Sequence, residues 1–175
     1  GLPTPPVIAP YFDPHEFPLV SEHREFLPGK RNFWAINTGG LTDAQAIDLF
    51  RVLGNLDEKA MFAGKDGHLA RAKRELGEEF FFGDRCDGEL GPLLASGRGA
   101  IDLSRGPMPL FALKALAIGR PAVVADNIIN RSLLRPLGVA FARVEDAPRA
   151  ARGLLGMPLA AEKLRGQALR KRPVP

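Results

Sequence analysis

Short apolar runs alternate with amphipathic segments along most of the chain, and glycine or a polar turn ends each run. Apolar runs of this length without polar alternation are typical of strands that are buried on both faces. The predicted strands are residues 33–37, 59–63, 79–82, 100–103 and 122–125, with 139–142 as a sixth. Apolar positions three and four apart predict helices at about 43–53, 68–76, 89–96, 108–118, 146–155 and 160–171.

This order of strands and helices predicts an α/β fold: a doubly wound, mainly parallel, Rossmann-like sheet with helices on both faces. Ligands of such folds bind outside the carboxyl ends of the strands. The loops expected to carry function are therefore residues 37–43, 64–68, 83–88, 104–109 and 125–131.

Proline and charge divide the chain into three parts. Seven prolines exclude regular helix from most of residues 1–30, which we interpret as a linker from a preceding domain. Residues 31–161 form the predicted α/β domain, and residues 162–175 form a basic C-terminal helix or tail. That tail carries five basic residues and one acidic residue, which equals the whole net charge of +4. The first 161 residues are balanced in charge, so we expect no nucleic acid as a partner.

Several function classes lack their motifs. The single cysteine, Cys86, excludes an intramolecular disulfide and a cysteine-cluster zinc site, and with three scattered histidines we expect no metal. We interpret Cys86 as a small packed residue rather than a nucleophile. The chain has no P-loop, no dinucleotide-binding glycine motif and no G-x-S-x-G nucleophile elbow.

Candidate binding residues lie in the first three loops. Gly39 and Gly40 either let a phosphate approach a helix N terminus or simply form a tight turn. Lys65 either faces a phosphate or lies in a solvated turn in which Asp66 caps the next helix. Asp84 and Arg85 lie in the third loop.

The fourth loop leads directly into a helix and is the densest candidate. Arg105 and, one turn inside the helix, Lys114 could approach the same phosphate as the backbone amides of Met108 and Leu110. A purely structural buried helix would look almost the same apart from the two basic side chains.

Four segments, in order and correctly spaced, resemble motifs of GT-B glycosyltransferases. They are VIAPYFDPHEFP at 7–18, FAGKDGHLARAKRELG at 62–77, FFFG at 80–83 with LLAS at 93–96, and ALAIGRPAVVAD at 115–126. The chain thus resembles the C-terminal domain of that family, joined through an interdomain linker. The resemblance implies a domain that binds a UDP- or GDP-linked sugar as substrate, with neither metal nor cofactor. It also implies an N-terminal acceptor domain that is missing from this chain.

Other positions depart from the family pattern. Gly40 and Gln45 stand where the family commonly has the arginine and lysine that neutralise the diphosphate, and Gly106 and Lys114 replace two glutamates of the retaining enzymes. In a glucuronosyltransferase-like branch, the diphosphate lysine corresponds to Pro109. Two hypotheses follow: an active donor-binding domain in which other cations replace the lost ones, or a degenerate domain that serves as a partner-binding or scaffold module.

The expected location is the cytoplasm of a bacterium. For the basic tail three alternatives stay open: contact with anionic lipid at the inner membrane face, docking on the missing domain, or a solvated end.

Overall fold

The computed structural model describes residues 33–84, 87–106, 109–135 and 139–155, which form a five-stranded parallel sheet between two layers of helices. The predicted linker at 1–30, the helix predicted at 160–171 and the basic tail lie outside the described residues. The strands are β1 Phe33–Asn37, β2 Lys59–Ala63, β3 Gly99–Asp102, β4 Ala122–Ala125 and β5 Ala140–Ala142. Their spatial order, β2-β1-β3-β4-β5, with every pair parallel, confirms the predicted fold class.

Six helices connect or follow the strands within the described ranges. They are α1 Asp43–Gly54, α2 Ala70–Leu76, α3 Asp87–Ser96, α4 Leu110–Ile118, α5 Ile128–Leu134 and α6 Ala147–Leu154. The α5 helix lies where we expected only a loop, at 125–131. Asn127 begins it, because its side chain accepts a hydrogen bond from the Asn130 amide at 2.8 Å.

The strand predicted at 79–82 is wrong. Glu78–Phe80 form a single 3₁₀ turn, and Phe81 makes only an isolated parallel bridge to Phe62 beside β2. The Phe82 amide donates to the Phe62 carbonyl at 2.7 Å and the Gly64 amide donates to the Gly83 carbonyl at 2.9 Å, so the segment follows the end of β2 without forming a strand. Its aromatic rings pack instead: the ring of Phe81 stacks on that of Phe62 with 4.8 Å between centroids.

Two apolar cores lie on opposite faces of the sheet because side chains alternate along each strand. Phe33 of β1 packs among α3, α4 and α5, with residues such as Leu94 and Phe111. The next residue, Trp34, packs among α1, α2 and α6, with residues such as Leu53. Trp34 is completely buried.

The first helix begins as predicted, immediately after the glycines that follow β1. The hydroxyl of Thr42 accepts from the Gln45 amide at 3.3 Å, and the Gln45 side chain accepts in return from the Thr42 amide at 3.0 Å. This reciprocal capping box fixes where the loop after β1 ends. None of the described helices combines the length and apolar character that crossing a membrane requires.

Candidate functional site

The loop after β1 is bound on one side to the loop after β2, at the edge where the strands end (the carboxyl edge). Thr38 is completely buried; its amide donates to the Ala63 carbonyl at 3.0 Å, and its hydroxyl donates to the Lys65 carbonyl at 2.9 Å. Gly64 lies directly against that hydroxyl, since a Cβ at this position would come within 2.7 Å of Thr38 Oγ1. These contacts hold the two loops in a fixed relation.

On its other side, β1 is bound to β3 through a buried carboxylate, Asp102. Its Oδ1 accepts hydrogen bonds from Asn37 Nδ2 at 2.9 Å, from the Ser104 amide at 3.2 Å and from the Ser104 hydroxyl at 2.7 Å. Its Oδ2 accepts from the Ala112 amide of α4 at 3.2 Å. One completely buried side chain therefore joins β1, the loop after β3 and the start of α4.

Gly39 and Gly40 lie between these two connections and form a surface without side chains, which we call the glycine floor. The Gly39 amide donates to Asn37 Oδ1 at 3.0 Å, and Gly40 has a φ of 80°, which favours glycine. A Cβ on Gly40 would contact Ser104 Cα at 3.6 Å, an ordinary distance. The tight turn is thus present, and Gly40 is exposed at its surface.

Two predicted cations flank the glycine floor. Lys65 follows β2 and Arg105 follows β3, the two strands on either side of β1, and both residues are exposed. Neither side chain forms an ion pair within the part of the chain that the structure describes. Asp66 occupies the cap position of the 3₁₀ turn Gly67–Leu69, but its side chain makes no capping bond and pairs instead with Lys73 Nζ at 2.9 Å. The solvated-turn alternative for the exposed Lys65 stays open.

A cavity of about 200 Å³ lies at the carboxyl end of β2, between that strand and helices α3 and α4. Its lining includes two of the predicted residues, Asp84 and Lys114, together with the rings of Phe82 and Phe111. The structure thus brings Asp84 and Lys114 together in one cavity, whereas Lys65 and Arg105 are not part of its lining.

Other predicted residues contribute less. Leu110 is the first residue of α4 and is 48% exposed, while Arg85, Cys86 and Met108 lie outside the described residues. The described residues contain no group of three or more His, Cys, Asp or Glu side chains that could hold a metal ion.

Sequence reasoning placed Asn37 and Thr38 in a loop expected to carry function, but it did not predict that these two residues and Asp102 fix the edge. A signal was available for two of them, because Asn37 and Asp102 are the polar last residues of otherwise apolar strands. Polar residues at the carboxyl ends of neighbouring parallel strands necessarily lie near each other.

The end of β4 is closed by α5 rather than left open. Asp126 Oδ2 accepts a hydrogen bond from Arg131 Nη2 at 2.7 Å, and this bond lowers the pKa of the Asp126 carboxyl. Asn130 is completely buried and donates to the Ala125 carbonyl at 2.8 Å. The loop predicted at 125–131 is therefore occupied by its own internal contacts.

Comparison with solved structures identifies what this architecture resembles. AviGT4, a glycosyltransferase involved in avilamycin A biosynthesis, matches 94% of this chain with a TM-score of 0.64 and 20% sequence identity. The chain shares its fold with a glycosyltransferase. The fold that the resemblance to GT-B donor domains implied is therefore confirmed, and the chain spans 52% of the length of AviGT4.

Two further structures share the fold at lower identity. TarM matches 88% of the chain with a TM-score of 0.57 and 13% identity, over 34% of its own length. The structure of accessory secretory proteins 1, 2 and 3 of Streptococcus pneumoniae matches 89% with a TM-score of 0.56 and 14% identity, over 32% of its own length. No family model and no curated protein matches the sequence.

Proposed function

We propose that this chain is the donor-binding half of a glycosyltransferase and binds a UDP- or GDP-linked sugar at the carboxyl edge of its sheet. The observation that carries the proposal is the arrangement of Lys65 and Arg105 on either side of the glycine floor, in a fold shared with a glycosyltransferase.

The two cations suit the chemistry of sugar transfer. When the bond between the sugar and the phosphate breaks, the electron pair stays on the phosphate oxygen, and the nucleoside diphosphate leaves with additional negative charge. Arg105 would pair with phosphate oxygens through its planar guanidinium, and Lys65 would act as a point charge. Fixed positive groups at the position where charge develops lower the barrier to the reaction.

The neighbouring cavity is suited to the nucleoside end of the donor. Its volume of about 200 Å³ is below the 300–1,000 Å³ of typical ligand pockets, so it would hold one end of a nucleotide-sugar. The Phe82 and Phe111 rings offer apolar area to a base, and the Asp84 carboxylate can accept hydrogen bonds from ribose hydroxyls.

The acceptor would belong to a second domain. Because the chain spans 52% of AviGT4, the proposal assigns the acceptor site and the general base to an N-terminal domain outside this chain. A cytoplasmic location, with peripheral membrane contact through residues 162–175, stays a prediction from the sequence.

One observation favours the second candidate, a degenerate domain that binds a partner instead of a donor. Gln45, which stands where the family commonly has a phosphate-binding lysine, is engaged in the capping box with Thr42. At this position the chain has exchanged a ligand-binding cation for a helix cap.

Thermal unfolding with UDP, GDP and ADP distinguishes the two candidates. A nucleotide present at 100 times its dissociation constant stabilises the folded chain by about 2.7 kcal/mol, which raises the midpoint by several degrees. Donor binding predicts a shift with UDP or GDP that Arg105→Ala largely removes. The matched control is Arg152→Ala, an exposed arginine in the last turn of α6, which should leave the shift unchanged. If none of the three nucleotides raises the midpoint, donor binding is contradicted and the partner-binding module is the remaining candidate.

A further inference from the structure

Asp102 is a buried acidic group that the proposed reaction does not use. It is the last residue of β3, is completely buried and accepts four hydrogen bonds. The bonds come from two backbone amides, a side-chain amide and a hydroxyl, and an ionised carboxylate is purely an acceptor. The surroundings of Asp102 therefore match a carboxylate that carries its negative charge.

That charge lies at the start of α4. Ala112, one of the four donors, is the third residue of the helix. Free amides and a dipole equivalent to about +0.5 charge normally make this end of a helix attractive to anions. Here an internal carboxylate already takes one amide, and its full negative charge exceeds that of the dipole. A phosphate at the end of α4 would meet this negative charge.

The positive charges of the edge lie on the loops instead. Arg105 follows Ser104, whose amide and hydroxyl both bind Asp102, so the backbone that carries Arg105 is fixed by the same carboxylate. The backbone of Lys65 is fixed by the Thr38 hydroxyl. Both side chains are exposed on the two sides of the glycine floor.

The geometry points to Asp102 as the residue that decides how this edge binds an anion. It caps α4 from inside and closes the helix end to phosphate, so the donor's diphosphate is held by Arg105 and Lys65 above the glycine floor. Asp102 acts through the charge of the helix end and the position of Arg105, and does not touch the donor. This inference rests on the proposed function, because it concerns the same site.

The first test asks whether a backbone amide at the start of α4 binds the phosphate, and it uses calorimetric titration of the full chain with UDP. Leu110→Pro removes the backbone N–H of the first residue of α4, a position where proline is well tolerated. The expected affinity of this variant lies within twofold of wild type, whereas Arg105→Ala and Lys65→Ala each weaken binding at least tenfold. A tenfold loss in Leu110→Pro, with Arg105→Ala unchanged, would place the phosphate on the helix and overturn the inference.

A second variant tests the charge. Asp102→Asn removes the negative charge and keeps the shape of the side chain: its Oδ1 can still accept from Asn37 and Ser104, and only the Ala112 amide loses its acceptor. The backbone of Arg105 thus stays fixed, and UDP should bind about fivefold more tightly, since one repulsive charge nearby is gone. A merely structural role of Asp102 predicts weaker binding. The control is Asp126→Asn, which makes the same change of charge at the end of β4 and should stay within twofold of wild type. An equal gain in both variants, or no gain in a folded Asp102→Asn protein, contradicts the inference.

The outcomes separate the inference from the proposed function. Failure of the wild-type chain to bind both UDP and GDP refutes the proposed function, yet a folded Asp102→Asn protein that gains binding still supports the role of Asp102. Absence of binding in every variant overturns both. Circular dichroism will show whether Asp102→Asn folds. If it does not fold, and wild type binds UDP, the comparison of Leu110→Pro with Arg105→Ala alone decides whether the inference holds.

Discussion

At the scale of single residues, Gly64 shows how closely the carboxyl edge is packed. It has a φ of 113°, and a Cβ would lie 2.7 Å from the buried Thr38 hydroxyl. Gly64→Ala therefore combines an unfavourable backbone conformation with a clash, and should lower the free energy of unfolding by about 2 kcal/mol or more. Gly67→Ala is the control, because a Cβ there meets no atom within 4 Å. Urea denaturation checks both, and equal stability of the two variants would contradict this description of the edge.

The Asp126–Arg131 pair gives a second prediction at this scale. Its hydrogen bond lowers the pKa of the Asp126 carboxyl, so the pair's contribution to stability is present above the ordinary aspartate value of about 3.9. It is lost as the pH falls through the lower pKa of the folded state. NMR titration should show Asp126 below its ordinary range in wild type and near it in Arg131→Gln. Arg143→Gln removes only a distant charge and should raise the pKa less; equal effects would count against the hydrogen bond as the main cause.

The sequence correctly predicts which loop carries a residue, because the residue's position along the chain decides this. Lys65 and Arg105 lie on the loops after β2 and β3 because each directly follows an apolar strand. The connection between Asn37 and Asp102 joins residues 65 positions apart. Their positions at the ends of apolar strands indicate that both lie at this edge, but not that they form a hydrogen bond. The closure of the β4 end by Asp126 and Arg131 was likewise hidden, because it needs the α5 helix to form first.

At the scale of elements, the capping box of α1 explains why this helix begins where the sequence predicts. Thr42→Ala removes the hydroxyl that accepts from the Gln45 amide, and should cost about 1 kcal/mol of stability. Thr42→Ser retains the hydroxyl and should remain close to wild type. Chemical denaturation compares the two variants, and equal losses would show that the threonine methyl group, rather than the cap, stabilises the helix start.

The two errors at this scale have physical causes. Three consecutive phenylalanines at 80–82 indicate a strand by composition, but Glu78–Phe80 turn as a 3₁₀ helix and the segment after them makes only an isolated bridge to β2. The α5 helix was missed because it spans only seven residues and starts directly after a strand. The sequence did carry a signal for the start of α5. Asn127 is a residue type that caps helices, and its side chain accepts from the amide of Asn130 three residues later.

At the scale of the whole molecule, two cores share one sheet, so they should unfold together. Leu53 and Leu94 are completely buried on opposite faces. Replacing either by alanine should cost about 2–5 kcal/mol and lower the same transition, because neither face is stable without the sheet. The fluorescence of the single tryptophan, Trp34, and the far-ultraviolet circular dichroism report the sheet and the helices respectively. Separate transitions in either variant would contradict a single cooperative unit.

The proposed binding of a nucleotide-sugar donor at the carboxyl edge of this sheet can be tested by NMR of the isotopically labelled chain with UDP and with GDP. With one of the two nucleotides we expect saturable shifts of the amide resonances of Gly39, Gly40 and Arg105, with little change at Lys59 and Gly99, the first residues of β2 and β3 at the opposite edge. Spectra that change with neither nucleotide, or that change only at Lys59 and Gly99, would contradict donor binding at this edge.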